Sequence, residues 1–157
     1  MGQVGHCNSR PALNASGQIA GIGIHNNQVS GFLLTPVPPT QEVTIDIKPG
    51  DPSNTINLRS HGVIPVAILS SASFDALQVD PATVRLAGAA VKVAGNSGHF
   101  LAHAEDVNGD GLPDLLCQVY TDQFTVEEGA TTAVLEAKTF GGQLLQGEDT
   151  ITIVGNR

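Results

Sequence analysis

The chain contains no Trp, a single Tyr (Tyr120) and five Phe. So little aromatic surface excludes a ring-built core and leaves few flat platforms on which sugars or bases could stack. Lys and Arg together number seven and nowhere cluster. That excludes the basic face required by phosphate backbones or anionic bilayers, so no nucleic acid and no membrane insertion are expected. No run of about 18 apolar residues occurs. The opening MGQVGHCNSR lacks a basic region followed by an apolar one, so no secretory leader is read there. Cysteine is limited to Cys7 and Cys117; a pair so far apart sets no disulfide framework, and no CxxC or Cys/His cluster reads as zinc. Cys117, in an apolar run, is expected to pack as a small hydrophobe. A GxSxG nucleophile elbow and a phosphate-binding glycine loop are also missing.

What is present is a 157-residue chain with 41% hydrophobic residues, 18 Gly and 9 Pro. The core must come from Val, Ile, Leu and Ala, and the Gly/Pro content predicts many short elements joined by turns. Fifteen acidic against seven basic residues give a formal net charge of −8, a balance that suits an extracellular, cation-binding protein.

Residues 18–24 and 29–36 are β-prone runs around the turn HNNQ and read as one hairpin. TPVPPT (35–40) is a proline-rich linker. The expected division is therefore 1–41, hairpin plus linker, and 42–157, the main domain. From Glu42 onward, apolar or alternating runs recur at 43–47, 62–71, 82–88, 89–95, 99–105, 113–122, 131–140 and 149–155. This predicts an all-β fold: an antiparallel β-sandwich, Ig-like or jelly-roll-like, with an N-terminal β-hairpin. Pro65 within GVIPVAILSS should make that run an edge or bulged strand. One helical turn is expected at 74–77. In TTAVLEAKTF, the alternation of Ala133, Leu135 and Ala137 against Val134, Glu136 and Lys138 favours strand.

The stretch DVNGDGLPD places oxygen-bearing side chains at positions one, three, five and nine: Asp106, Asn108, Asp110 and Asp114. The Leu112 carbonyl falls at position seven and Gly111 at the sharp turn. This is calcium-loop spacing, and its all-oxygen donors favour Ca²⁺ over zinc or copper. Position twelve is Cys117 rather than a bidentate Glu, and the flanks read as strands. The loop therefore resembles the strand–loop–strand calcium loops of secreted β proteins and the loops of dockerins, not a calmodulin-type sensor. Glu105 or water would complete the set. A second cation is expected at Asp46, Asp51, Asn54 and Asn57, with Asp75 or Asp80 as further ligands. The alternative there is Asx-turn chemistry without metal.

The phrases IDIKPG, GVIPVAIL, FDALQVDPATV and EDVNGDGLPDL resemble a C-terminal β domain of secreted bacterial proteins, for which calcium is the implied ligand. The segment LNASGQIAGIGIHNNQVSGFLL resembles the last unit of an HAF-type extracellular repeat. Together these resemblances imply the C-terminal part of a longer secreted protein.

The leading functional expectation is a calcium-stabilised accessory or adhesion-type module that meets an extracellular polymer. An alternative is a calcium-dependent hydrolase of esters or lactones, such as acyl-homoserine lactones. With no nucleophile–base pair visible, a calcium-bound water would attack, with His103 as base and Glu105 as second base or ligand. His99 and His103 share strand parity and are expected on one face. A carbohydrate-binding module is a third reading, weakened by the lack of Trp.

Overall fold

The computed structural model describes residues 12–25 and 27–155. The chain divides into two compact units, Met1–Pro38 and Pro39–Arg157.

In the first unit β1 (Ala12–Leu13), β2 (Ile19–His25) and β3 (Gln28–Leu34) form one antiparallel sheet in that order. Asn14 closes the first turn: its Oδ1 accepts from the Ser16 and Gln18 amides at 2.9 and 3.0 Å. At the second turn Asn27 takes φ 63°, a conformation Asn tolerates better than most residues. The hairpin expected here is present, and the short β1 adds a third strand.

The second unit is a β-sandwich. One sheet runs β12 (Ala102–Glu105), β13 (Asp114–Tyr120), β7 (Val63–Ile68), β5 (Ile45–Ile47). The other runs β4 (Gln41–Glu42), β15 (Leu144–Thr150), β14 (Thr132–Lys138), β8 (Arg85–Leu86), β9 (Ala89–Ala90). Strands β10 (Val93–Ala94) and β11 (His99–Phe100) form a small hairpin. β6 (Thr55–Asn57) and β16 (Thr152–Val154) pair in parallel, as do β4 and β15; the remaining pairings are antiparallel.

Alternation builds the core. β14 buries Ala133, Leu135 and Ala137 and turns Glu136 and Lys138 outward, as its pattern predicts. Opposite it, β7 and β13 contribute Ile64, Val66, Ile68, Leu115, Cys117 and Val119. At roughly 25 cal/mol per Å² of apolar surface removed from water, each such side chain stabilises the fold by about 1.5–3 kcal/mol. Burial pushes the Cys117 thiol up to about 12, so it stays a neutral hydrophobe; Cys7 lies outside the described residues.

Several local expectations change. The strand carrying Pro65 is internal, held between β13 and β5. Pro65 is tolerated because pairing with β5 stops at Ile47↔Val66. Beyond that point the Pro65 carbonyl accepts from the Lys48 amide at 2.8 Å, so the missing N–H faces a strand end rather than a continuing ladder. Lys48 itself turns away with φ 53°. The second unit also begins before Glu42, since Gln41 and Glu42 pair with Leu145 and Gln146. The helical turn is 3-10 and lies at Ala76–Gln78, and a second, Pro81–Thr83, takes the first two positions of the expected strand at 82–88. The final run splits: β15 begins at Leu144, and buried Ile151 separates it from β16. Gly147 sits where β15 crosses β5, and a Cβ there would lie 2.7 Å from the Val43 carbonyl oxygen.

Candidate metal centre

The acidic loop joins two neighbouring strands, β12 and β13, whose first rung pairs Glu105 with Asp114. Within it the chain wraps around Asp106. Its Oδ1 accepts from the Gly109 and Asp110 amides at 2.8 and 3.1 Å, and its Oδ2 from the Gly111 amide at 3.0 Å. Gly109 and Gly111 take φ of 76° and 86°, a region in which a Cβ is strained. Asn108 Oδ1 accepts from the Asp110 amide at 3.0 Å, and its Nδ2 donates to Asp110 Oδ2 at 3.0 Å. Asp110 Oδ1 accepts from the Leu112 amide at 2.8 Å. Asp106, Asn108 and Asp110 are all exposed.

Asp114 is different. It is fully buried, and its two oxygens are aimed at two parts of the chain. Oδ1 accepts from the Ser70 amide at 2.8 Å and Oδ2 from the Val107 amide at 2.9 Å. Ser70, just past β7, extends the link: its Oγ donates to the Pro113 carbonyl at 2.7 Å and accepts from the Ala76 amide at 2.9 Å. Asp114 therefore ties the loop to the sheet and to the first 3-10 turn. Nothing in the sequence around Ser70 signals that role, because its partners lie 43 and 44 positions away.

The donors Asp106, Asn108, Asp110 and the Leu112 carbonyl are hard oxygens, the chemistry Ca²⁺ selects. Among the described residues, no Lys or Arg pairs with Asp106, Asp110 or Asp114, whereas Lys48 pairs with Asp51 and His103 with Glu105. The loop's negative charge thus has no protein counter-ion. His103 Nε2 and Glu105 Oε2 lie 3.1 Å apart on β12, with their side chains 56% and 55% exposed. His99 belongs to β11 rather than to the strand of His103, because the chain leaves one pairing and enters another at Leu101.

The second expected cation set does not converge as drawn from sequence. Asp51 is committed within its own turn: its Oδ2 lies 2.7 Å from Lys48 Nζ, and its Oδ1 accepts from the Ser53 amide and hydroxyl at 3.1 and 2.6 Å. The lysine and these donors hold its carboxyl well below the usual carboxylate range. Asn57 Oδ1 accepts from the Arg59 amide. Asp75 and Asp80 cap the two 3-10 turns by accepting from Leu77 and Ala82. What does converge is Asp46, Asp51 and buried Asn54 with Asp149, all lining one open groove of about 510 Å³. Asp149 Oδ2 accepts from the Ile47 amide at 2.9 Å and from Asn54 Nδ2 at 3.0 Å. Desolvation first, and the Asp149 charge second, raise the Asp46 carboxyl above its ordinary value. Asp149 is the residue sequence reasoning missed, since it reaches this groove from 102 positions beyond Ile47.

A larger groove, about 770 Å³, lies elsewhere, lined by Leu58, Phe124, Val126, Glu127, Glu128 and Ile153 among others.

No family model matches the chain, and no curated protein matches it. Among solved structures, a chain of a 1.5-MDa bacterial ice-binding adhesin, described for its retention at the host cell surface, aligns with a TM-score of 0.37 and 16% identity. The alignment covers 88% of this chain and 42% of that one. A likeness that slight assigns neither fold nor activity.

Proposed function

We propose that residues 39–157 form a calcium-stabilised β domain of an extracellular protein, an accessory or adhesion-type module rather than a catalyst. The ion sits in the loop between β12 and β13, held by Asp106, Asn108, Asp110 and the Leu112 carbonyl. Asp114 anchors the loop from beneath and can join the ligand set through the lone pairs its two amide partners leave free. The observation that carries this reading is the exposed cluster Asp106–Asn108–Asp110, ordered by backbone amides and left without a Lys or Arg partner. Millimolar calcium outside cells suits a site of this exposure, and the acidic surface suits the same setting. Calorimetric titration of the whole chain with Ca²⁺ tests the reading: saturable binding that Asp110→Ala abolishes and Asp51→Ala leaves intact is expected. Identical titration curves for wild type and Asp110→Ala would overturn it.

One contact favours a second reading, a calcium-dependent hydrolase of esters or lactones. His103 and Glu105 pair beside the loop, the arrangement of a base held by a carboxylate. Both are more than half exposed, outside the water-excluding pocket that makes such pairs efficient. Hydrolysis of an ester and lactone panel that is lost in His103→Ala and in EGTA would establish this reading; no turnover in wild type would remove it.

A further inference from the structure

The two units differ most in charge. All 15 acidic residues lie between Glu42 and Asp149, and no Asp, Glu, Lys or Arg occurs between Arg10 and Glu42. The first unit is also apolar on both faces. Opposed residues share a face, so the register Leu13↔Ile19 and Ile19↔Leu34 sets those three in one row, with Phe32 beside them over Gly21. Leu33, Ile22 and Val29 emerge on the other side. Exposures are high: Val29 71%, Leu33 61%, Leu34 57% and Phe32 46%.

The outer edge of β3 is the unusual part. β3 spans seven residues, pairs on one side with β2, and has no strand on the other among the described residues. Edges of that length are normally blunted by Lys, Pro, an inward charge or a bulge. QVSGFLL has none of these. It presents unpaired backbone donors and acceptors flanked by apolar side chains, which is a template for another strand.

We propose that this edge pairs with β3 of a second copy of the chain, antiparallel about Gly31, so that two three-stranded sheets become one six-stranded sheet across a two-fold axis. The identical strand fits for two reasons. First, β3 is self-complementary about its centre. With Gly31 opposite Gly31 of the second copy, Val29 meets Leu33 on one face, and Phe32 meets Ser30 on the other. The apolar cross-strand pairs repeat by symmetry. Second, an uncharged strand has nothing to select a charged partner and nothing to repel its own copy. Seven paired residues bury less than the roughly 800 Å² per partner of a standard interface, so the dimer is weak and concentration-dependent.

The test is sedimentation of the whole chain as wild type, Val29→Glu, Leu33→Lys and an equimolar mixture of the two variants. Both side chains stand in solvent, so the variants keep the fold, which circular dichroism checks. Wild type should pass from monomer to dimer with concentration. Each variant alone should raise the dimer dissociation constant by at least about tenfold, since a charge then lies against an apolar partner. The mixture should recover dimer, because the carboxylate introduced by Val29→Glu in one copy faces the ammonium introduced by Leu33→Lys in the other, while the second rung keeps Leu against Val. A wild type that stays monomeric at every concentration would overturn the proposal and leave the edge to a strand of some other protein. Dimerisation unchanged in both variants, or a mixture that stays monomeric, would overturn it too.

Discussion

The turn at residues 48–55 and the loop at 106–114 are both rich in Asp and Asn, and only the first contains a cation. In the turn, Lys48 Nζ reaches Asp51 Oδ2 and the Thr55 carbonyl, each at 2.7 Å. Its negative charge is answered from within. In the loop, Asp106 and Asp110 accept only from backbone amides and the Asn108 side chain. Amide dipoles order carboxylates without cancelling their charge. Two stretches of similar composition therefore differ: in one the carboxylate is answered by a lysine of the same turn, and in the other no Lys or Arg among the described residues pairs with the carboxylates.

The largest expected effect comes from Asp114, which sets the loop on its base. Asp114→Ala leaves the buried Ser70 amide and the part-buried Val107 amide unpaired, and should cost about 3 kcal/mol. Chemical denaturation should show that loss in calcium and in EGTA alike. A loss confined to calcium would make Asp114 a ligand first and an anchor second.

Next in size is calcium itself. At a concentration about a hundred times its Kd, the ion should stabilise the domain by about 2.7 kcal/mol. Thermal melting of the wild type should rise accordingly and fall back in EGTA, whereas Asp110→Ala should melt at one temperature in both. If Asp51→Ala also lost its calcium response, the contrast between the two stretches would fail.

What was legible has a local logic. Gly and Asp crowded within nine residues mark a turn between two strands at 106–114, and alternation within β14 specifies its buried face. The sandwich was legible for the same reason, strand by strand. What escaped is set by residues far apart in the chain. Pro65 reads as an edge signal, and only the early end of β5 makes an internal position acceptable. Nothing in the sequence marks Gly147 as the point where β15 meets the Val43 backbone. Asp149 is an ordinary member of GEDT until β15 brings it to Ile47 and Asn54. Asp51 matched a ligand pattern, but a lysine three residues earlier had already claimed it.

The third effect is smaller and concerns that lysine. Asp51→Asn removes the partner of Lys48 at a partly exposed site, and melting at pH 7 should fall by about 2 °C. The folded Asp51 carboxyl lies below its ordinary value of 3.8, so its contribution is complete above that pH and is lost as pH falls through and below it. The wild-type and variant melting curves should therefore converge on acidification below about pH 4. A deficit of constant size across pH would mean that the turn depends on the shape of Asp51 and not on its charge.

The smallest effect belongs to Asp46, and its sign is opposite. Burial and the charge of Asp149 raise its folded carboxyl above 3.8. The folded state then binds the proton more readily than the unfolded chain, so this group destabilises the protein at pH values above its folded pKa. The penalty fades as pH falls toward 3.8 and disappears below it. Asp46→Asn keeps the shape and removes the repulsion, so in EGTA it should melt slightly above wild type at pH 7, by about 1 °C, with no difference near pH 3. Calcium sharpens the result. If the groove lined by Asp46 and Asp149 stays empty, the gain is the same with and without the ion. If a cation sits between the two carboxylates, the substitution removes part of its charge, and the gain in EGTA turns into a loss in calcium. Melting curves of the two proteins, with and without calcium, decide between the outcomes. The comparison extends in this way from two stretches to three: one that carries its own cation, one whose carboxylates have no Lys or Arg partner among the described residues, and one whose two carboxylates line a common groove.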